Sequence, residues 1–164
     1  MIRPVFATTA WVPTRSRYVL RGGRGPVRLP VRCALIDHPT RGPVMVDAGY
    51  GPQLTSDPGR GWALRLYSAL LQPHLNPAES PLELLRGHGF APQDVQTVIV
   101  THLHGDHVAY LPAFENARFV TDGQRHGSLR HGVFNELLPE DFPERQDDLR
   151  AAPMAPLPFG LGQG

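Results

Sequence analysis

The chain has 164 residues, of which 16 are basic, 15 are acidic and 41% are hydrophobic, so its formal net charge is +1. This balance does not favour nucleic acid or a membrane surface as a partner, and no apolar run reaches the roughly 18–20 residues that a membrane span needs. A single cysteine, Cys33, excludes a disulfide framework and a cysteine-based zinc finger. Length and composition therefore favour one soluble domain.

The type of the basic residues and the start of the chain indicate the kind of organism and the cellular compartment. All 16 basic residues are arginine, which indicates a GC-rich bacterial genome. The first residues are followed by only a short apolar stretch, which Pro4 and Pro13 interrupt, and this is not typical of a signal peptide. We expect a cytoplasmic bacterial protein.

The N-terminal segment, residues 1–36, contains seven arginines and no acidic residue. Apolar and polar residues alternate at 17–20 and 27–35, which predicts strands whose arginines lie on exposed faces. A nucleic-acid patch and a transit peptide are the alternatives, but the patch lacks interleaved aromatic residues. A turn cluster at 37–42 predicts a hairpin between the flanking strands, and residues 44–46 are typical of a short buried strand.

Two helices are predicted in the middle of the chain. From Trp62 to residue 71, apolar residues recur at helical spacing, which is typical of a core or a dimer interface; a lid over a pocket is the alternative. The second helix begins with Ser80 as its cap, Pro81 in its first turn and Glu83 completing a capping box. Glycines at 87 and 89 end it.

The clearest strand covers residues 95–101, because it is β-branched and bounded by turn residues. A further strand is expected at 117–121. After it we expect a short helix through Arg130, a solvated acidic segment at 136–148 and a tail at 151–164 that is rich in Pro and Gly. The alternation of strands and helices predicts an α/β layered fold.

Three histidines and an aspartate follow the strand at 95–101 directly: His102, His104, Asp106 and His107. Two histidines two residues apart project to the same side of an extended backbone, where they can hold one ion. Gly105 lets the chain turn, so that the last two side chains face a second ion. Imidazole mixed with carboxylate suits Zn²⁺ first, with Fe or Mn behind. Two such ions could share a hydroxide and polarise a scissile carbonyl or phosphoryl group. The alternative interpretation of these residues is a surface cluster that binds no metal.

The run from Thr101 to His107 resembles the signature of the metallo-β-lactamase superfamily. Upstream, Val46-Asp47-Ala48-Gly49 resembles the strand-end Asp-x-Gly element of that superfamily. The resemblance covers about residues 15–125. It implies an αββα sandwich with a dinuclear metal site at one edge of its sheets.

The resemblance also implies roles for the matching residues. His102 and His104 would bind the first metal, and Asp106 and His107 would bind the second. Asp106 would also be catalytic, moving protons during turnover. Asp47 would accept a hydrogen bond from a ligand histidine and fix its tautomer; a turn-capping role is the alternative.

The chain departs from the family pattern further on. The family normally supplies another ligand histidine in a Gly-His-Thr-like motif, then a bridging aspartate and a final histidine, and none is recognisable here. His126 and His131 lack that context and are interpreted as surface residues. The motif offers four of the about six protein ligands that two catalytic ions need. We therefore expect a single metallo-β-lactamase-like domain over residues 1–164 that is C-terminally incomplete, the N-terminal part of a longer enzyme.

The sequence thus predicts a zinc-dependent hydrolase in which a metal-bound hydroxide attacks a small-molecule ester, lactone, thioester or amide. The lactonase-like branch is favoured, with Tyr50, Trp62 and Tyr67 as a candidate substrate pocket. The alternatives are a phosphodiesterase or nuclease of the same superfamily, motivated by the arginine-rich N-terminus, and a non-catalytic fragment with an incomplete metal site. The expected partners are a small-molecule substrate and a second copy in a homodimer; neither a membrane nor nucleic acid is favoured.

Overall fold

A mixed sheet of six strands organises residues 2–121, the part of the chain that the computed structural model describes. The strands are β1 (Val5–Arg15), β2 (Pro26–His38), β3 (Gly42–Val46), β4 (His74–Leu75), β5 (Thr97–Val100) and β6 (Arg118–Thr121). Their order across the sheet is β4-β1-β2-β3-β5-β6. Strands β4, β1, β2 and β3 pair antiparallel, whereas β3, β5 and β6 pair parallel.

Four α-helices connect these strands within the described range. They are α1 (Pro52–Thr55), α2 (Trp62–Leu71), α3 (Pro81–Gly87) and α4 (Gly105–Val108). Short 3-10 turns occupy Ser16–Tyr18, Pro77–Glu79, Pro92–Asp94 and Leu111–Ala113. Among these described helices, none has the length and apolarity required to cross a membrane.

The two faces of the sheet differ in what covers them. On one face, Leu35, Met45, Val98 and Phe119 lie side by side across four strands, and all are at most 3% exposed. They share one core with buried leucines of the helices: Leu54, Leu64 and Leu85. This arrangement confirms the α/β layered fold.

The opposite face is also apolar. Its central row joins Phe6, Ala34, Val46, Ile99 and Val120 through successive strand pairs. Phe6 is 63% exposed and Ile99 is 37% exposed. A sheet that is apolar on both faces is typical of an inner layer in a layered α/β fold.

Most of the predicted elements are present. The strands expected at 27–35, 44–46, 95–101 and 117–121, the hairpin at 37–42 and both helices are confirmed within the described residues. The elements expected after residue 121 lie outside the described residues, as do His126 and His131.

The strand predicted at 17–20 is wrong. Those residues belong to the loop between β1 and β2, which opens with a 3-10 turn at Ser16–Tyr18. Two groups of Ser16, its backbone N–H and its Oγ hydroxyl, donate to the carbonyl of Gly25 at 2.9 and 3.1 Å. These bonds close the loop, so the alternating residues curl back instead of extending.

Cys33 is part of the core face and is 2% exposed. Burial raises the pKa of its thiol to about 12, and the charge of Asp47 adds to this effect. Because the thiolate is the reactive form, we expect a disulfide-exchange reagent to label native protein far more slowly than protein in guanidinium at the same mildly alkaline pH. Thiol titration measures both rates, and rapid stoichiometric labelling of the native protein would contradict the buried placement.

The start of α3 forms as the sequence predicts. The Oγ of Ser80, 6% exposed, accepts a hydrogen bond from the backbone N–H of Glu83 at 3.2 Å, and Pro81 occupies the first turn. The carboxylate of Glu83 pairs with Arg86 instead of reaching back to Ser80. The serine half of the capping box is therefore the part that the structure shows.

Removing this cap has a measurable cost. Ser80→Ala should lower the free energy of unfolding by about 1 kcal/mol, because the N–H of Glu83 loses its acceptor in a partly buried place. Equilibrium urea unfolding measures the change. Ser56→Ala is the control, since Ser56 is exposed and follows α1. Equal stability losses in the two variants would show that the cap contributes nothing.

Candidate metal centre

The candidate site lies where two neighbouring parallel strands end. Val46 of β3 pairs with Ile99 of β5, so Asp47 and Thr101 leave the sheet at the same edge. The backbone N–H of Asp47 donates to the carbonyl of Ile99 at 2.8 Å, which extends the pairing by one residue. The carboxyl edge of parallel strands is where α/β proteins commonly place their ligands.

The turn after β3 needs its glycine. Asp47 and Gly49 both have left-handed backbones, with φ of 57° and 68°. A Cβ on Gly49 would lie 2.5 Å from the Cγ2 of Thr9, so a larger residue does not fit. The Thr9 hydroxyl accepts from the N–H of Tyr50 at 2.9 Å and donates to the carbonyl of Val31 at 3.3 Å. Thr9 therefore fastens this turn to β1 and β2.

The carboxylate of Asp47, a residue only 6% exposed, has three donors around it. The backbone N–H of Thr101 donates to Oδ1 at 2.8 Å, and the Thr101 hydroxyl lies 2.8 Å from Oδ2. Nδ1 of His107 lies 2.7 Å from the same Oδ2. A carboxylate accepts only, so Nδ1 carries a proton, and Nε2 is the nitrogen left for a metal. The hydrogen bond expected between Asp47 and a ligand histidine is present on His107, while its metal role stays a prediction.

The turn that carries the motif is also tied to the sheet edge. His104 lies at the start of α4, and its carbonyl accepts from the N–H of His107 at 2.9 Å. The carbonyl of His107 in turn accepts from the N–H of Ala48 at 2.7 Å. Gly105 and Val108 are buried. The one-turn helix thus holds the last two motif side chains against the loop after β3.

The four motif side chains form one cluster. The ring centroid of His102 lies 3.9 Å from the ring centroid of His107 and 4.7 Å from that of His104. Oδ2 of Asp106 lies 3.4 Å from Nε2 of His107.

These residues fit a metal in donor chemistry and in the spacing of one pair. Two donors of a tetrahedral zinc ion, each about 2.0–2.1 Å from it, lie about 3.3–3.4 Å apart. The carboxylate oxygen of Asp106 and Nε2 of His107 have this separation. Among residues 2–121, no group of three or more His, Cys, Asp or Glu side chains is arranged to hold an ion. The described residues therefore present a matched pair of donors with two more imidazoles beside it.

Charge in the cluster sets the protonation of its histidines. Burial works against a charged His107, but contacts with Asp106 and Asp47 outweigh it and raise the pKa of His107 to about 9. Burial likewise opposes ionisation of Asp106, yet His107 holds the pKa of that carboxyl below its ordinary value. Burial, then the charges of His107 and His104, lower the pKa of His102. At neutral pH, His107 in the metal-free cluster is therefore protonated on both ring nitrogens. An incoming metal must displace the proton on Nε2.

The structure sets Trp62 apart from the two tyrosines of the predicted pocket. Tyr50 is 1% exposed and Tyr67 packs against the core, whereas Trp62 is 78% exposed at the start of α2. Burial raises the pKa of both tyrosines, that of Tyr67 to about 12, and the charge of Asp106 adds to each rise. Tyr50 and Tyr67 thus lie within electrostatic reach of Asp106. Helix α2 turns Leu64 inward, which leaves Trp62 on the surface of the described part.

Two residues of this site had no role predicted from the sequence. Thr101 opens the run that resembles the family signature, and its place at the end of a strand was the available signal. Thr9 lies about forty residues before the turn that it holds, and nothing local marks it. Both act by binding backbone and carboxylate groups that only folding brings to them.

Fold and site together define an α/β layered protein with a histidine–aspartate centre at the carboxyl edge of its sheet. The family model for the metallo-beta-lactamase superfamily matches residues 26–159. The chain belongs to this superfamily, as the motif predicts.

Curated relatives are similar over part of their length. N-acyl homoserine lactonase AiiB of Agrobacterium fabrum is 34% identical over 95 residues, which cover 57% of this chain and 33% of that protein. A probable metallo-hydrolase of Mycobacterium tuberculosis is 31% identical over 98 residues, covering 59% of this chain and 31% of that protein. The chain spans about a third of the length of these relatives.

A solved structure shows the same fold. It is an N-acyl homoserine lactone hydrolase with its product, N-hexanoyl-L-homoserine, bound at the catalytic metal centre. The TM-score is 0.55 at 22% identity, and the match covers 71% of this chain and 46% of that one. The likeness shows that the two chains share a fold over the matched part.

Proposed function

We propose that this protein is a zinc-dependent hydrolase that opens the ring ester of a small-molecule lactone, with two zinc ions in its complete site. The observation that carries the proposal is the chain of side-chain contacts from Asp47 through His107 to Asp106, with His102 and His104 beside it. The name of AiiB, a lactonase, and the product held by the solved lactone hydrolase support the choice of substrate.

The residues that would hold the metal are His102, His104, Asp106 and His107, in two pairs as the family resemblance implies. When bound, the metal supplies Lewis acidity that polarises a carbonyl group and acidifies water. Asp47 contributes through His107: its hydrogen bond to Nδ1 at 2.7 Å orients the ring and directs Nε2 toward Asp106.

Asp106 is the group suited to move a proton. Its pKa is below the ordinary value, so it is ionised at neutral pH, and its side chain keeps 24% exposure toward solvent. An ionised carboxylate in this position can accept a proton from the attacking water and pass it to the alcohol that leaves as the ring opens.

The tyrosines suit substrate orientation. Burial keeps their hydroxyls protonated, so each can donate a hydrogen bond. The hydroxyl of Tyr50 is buried and has no hydrogen-bond partner among residues 2–121. A buried donor without an acceptor is costly, and a substrate oxygen would relieve that cost.

The test is lactone hydrolysis by the full-length protein loaded with zinc, using N-hexanoyl-homoserine lactone and following acid release. We expect turnover with two zinc ions per chain by metal analysis. His104→Ala should lose both activity and zinc, because it removes a ligand. His74→Ala is the matched control, since His74 is an exposed histidine on β4.

Two results would overturn the proposal. One is lactone turnover that persists after chelation or in His104→Ala. The other is hydrolysis of bis(p-nitrophenyl) phosphate with no lactone turnover, which would instead indicate the phosphodiesterase branch.

A further inference from the structure

The tip of the β1–β2 hairpin surrounds a cavity of about 450 Å³. Three arginines line it, Arg15, Arg17 and Arg24, together with Gly23, Gly25 and Pro26. None of these residues belongs to the histidine cluster. We propose that this arginine-lined cavity is a second binding site, which takes a ligand through its phosphate groups.

Among residues 2–121, no acidic side chain forms an ion pair with the three arginines of the cavity. Residues 1–36 contain no acidic residue. Within the described part of the chain, neither Arg15 nor Arg24 has an ion pair or a side-chain hydrogen bond. Neighbouring cations repel one another, and a concave surface concentrates their field, so an anion in the cavity would be attracted and would relieve the repulsion.

The third arginine is held in place. A terminal nitrogen of Arg17 donates to the hydroxyl of Tyr18 at 2.8 Å, and the guanidinium carbon lies 4.8 Å from the centre of the Tyr18 ring. Stacking on an aromatic ring leaves the remaining N–H donors of a guanidinium free to bind an anion. Arg17 is therefore partly ordered before any ligand arrives.

The loop that carries the arginines is folded tightly on itself. Ser16 is 3% exposed, and both of its donors bind the carbonyl of Gly25. A Cβ on Gly23 would lie 2.9 Å from backbone atoms of Ser16. The two sides of the loop therefore approach too closely for a side chain at Gly23. Gly25 has a φ of 94°, which a glycine adopts readily. The cavity is thus a built feature of the hairpin.

Phosphate is the anion that this chemistry favours. Guanidinium groups bind phosphates and carboxylates with paired hydrogen bonds, but three cations are balanced better by the several charges of a polyphosphate than by one carboxylate. A cavity of about 450 Å³ is within the roughly 300–1,000 Å³ of sites for small molecules. The phosphates could belong to a free small molecule or to the backbone of a nucleic acid.

The test uses inorganic pyrophosphate and metal-free protein at low salt, with binding measured by calorimetry. We expect one binding event, weakened about tenfold or more, or about 1.4 kcal/mol, in the double variant Arg15→Ala/Arg24→Ala. Arg41→Ala is the matched control, because it removes one exposed arginine beyond the other end of β2. His104→Ala separates this site from the histidine cluster, and both controls should bind pyrophosphate as the unaltered protein does.

A short oligothymidylate distinguishes the two sources of phosphate. If it binds more tightly than pyrophosphate and pyrophosphate displaces it, the ligand is a nucleic-acid backbone; if pyrophosphate binds more tightly, the ligand is a small molecule. Either result supports the site when the double variant weakens binding by about tenfold or more. Absence of pyrophosphate binding, binding that the double variant leaves unchanged, or binding lost in His104→Ala would overturn the proposal.

Discussion

Replacing Asp106 by alanine is expected to lower kcat/KM for lactone hydrolysis by about 10²–10⁴-fold, the usual contribution of a positioned acid–base group. The far-UV circular dichroism should not change, because the Asp106 side chain is partly exposed at the edge of the sheet and contributes nothing to the core. Steady-state kinetics with N-hexanoyl-homoserine lactone measures the loss. Zinc content measured on the same sample shows how much of the loss comes from weaker metal binding.

The control for this variant is Asp37→Ala. Asp37 is an exposed aspartate on β2, far along the chain from the motif, and its loss should leave kinetics and zinc content unchanged. Unchanged kcat/KM in Asp106→Ala, or an equal loss in Asp37→Ala, would remove Asp106 from the catalytic role.

Replacing Asp47 by alanine is expected to have the largest effect on stability, a loss of about 3 kcal/mol in the free energy of unfolding. Asp47 is 6% exposed and is the acceptor for the N–H and hydroxyl of Thr101 and for Nδ1 of His107. Alanine would leave these donors buried without an acceptor. It would also place alanine at a φ of 57°, a left-handed backbone that aspartate and asparagine adopt more readily than alanine does. Equilibrium urea unfolding measures the change.

Asp47→Asn separates the structural role from the role in metal binding. Asparagine accepts from Thr101 and keeps the left-handed backbone, so its stability loss should be clearly smaller than that of alanine. Its amide N–H₂ would face Nδ1 of His107 and favour the tautomer with the proton on Nε2, the nitrogen needed for the metal. We therefore expect zinc affinity to fall about 10–100-fold in competition with a chelator. Equal stability losses in the two variants, with unchanged zinc affinity in Asp47→Asn, would contradict the role assigned to Asp47.

The elements that the sequence predicts well are those with strong local signals. The strand at 95–101 is β-branched between turns, and α3 has a serine cap followed by proline; both form nearly as expected. Strand β1 carries a weaker signal, because Pro13 interrupts its apolar residues. It exists through pairing with β2 from Val5 to Arg15, with a register shift between Thr8 and Ala10. Its stability depends on a partner strand, which no local pattern reveals.

The amphipathic helix α2 shows the same limit in a different way. Its apolar residues are spread over more than one face of the helix, so their spacing alone does not show which face is buried. Packing against the sheet buries Leu64 and leaves Trp62, Leu66 and Leu70 exposed within the described structure. The choice is made by the orientation of the helix on the core.

The types of the candidate metal-ligand residues and their order follow from the sequence, because a spacing of two along an extended chain and a glycine turn are local properties. The partnership of Asp47 with His107, sixty residues apart, required the parallel pairing of β3 with β5. The contact of Gly49 with Thr9 and the gathering of Arg15, Arg17 and Arg24 around one cavity likewise depended on folding. A local pattern can specify which donors are present, but strand register and loop closure bring distant side chains within hydrogen-bonding distance of one another.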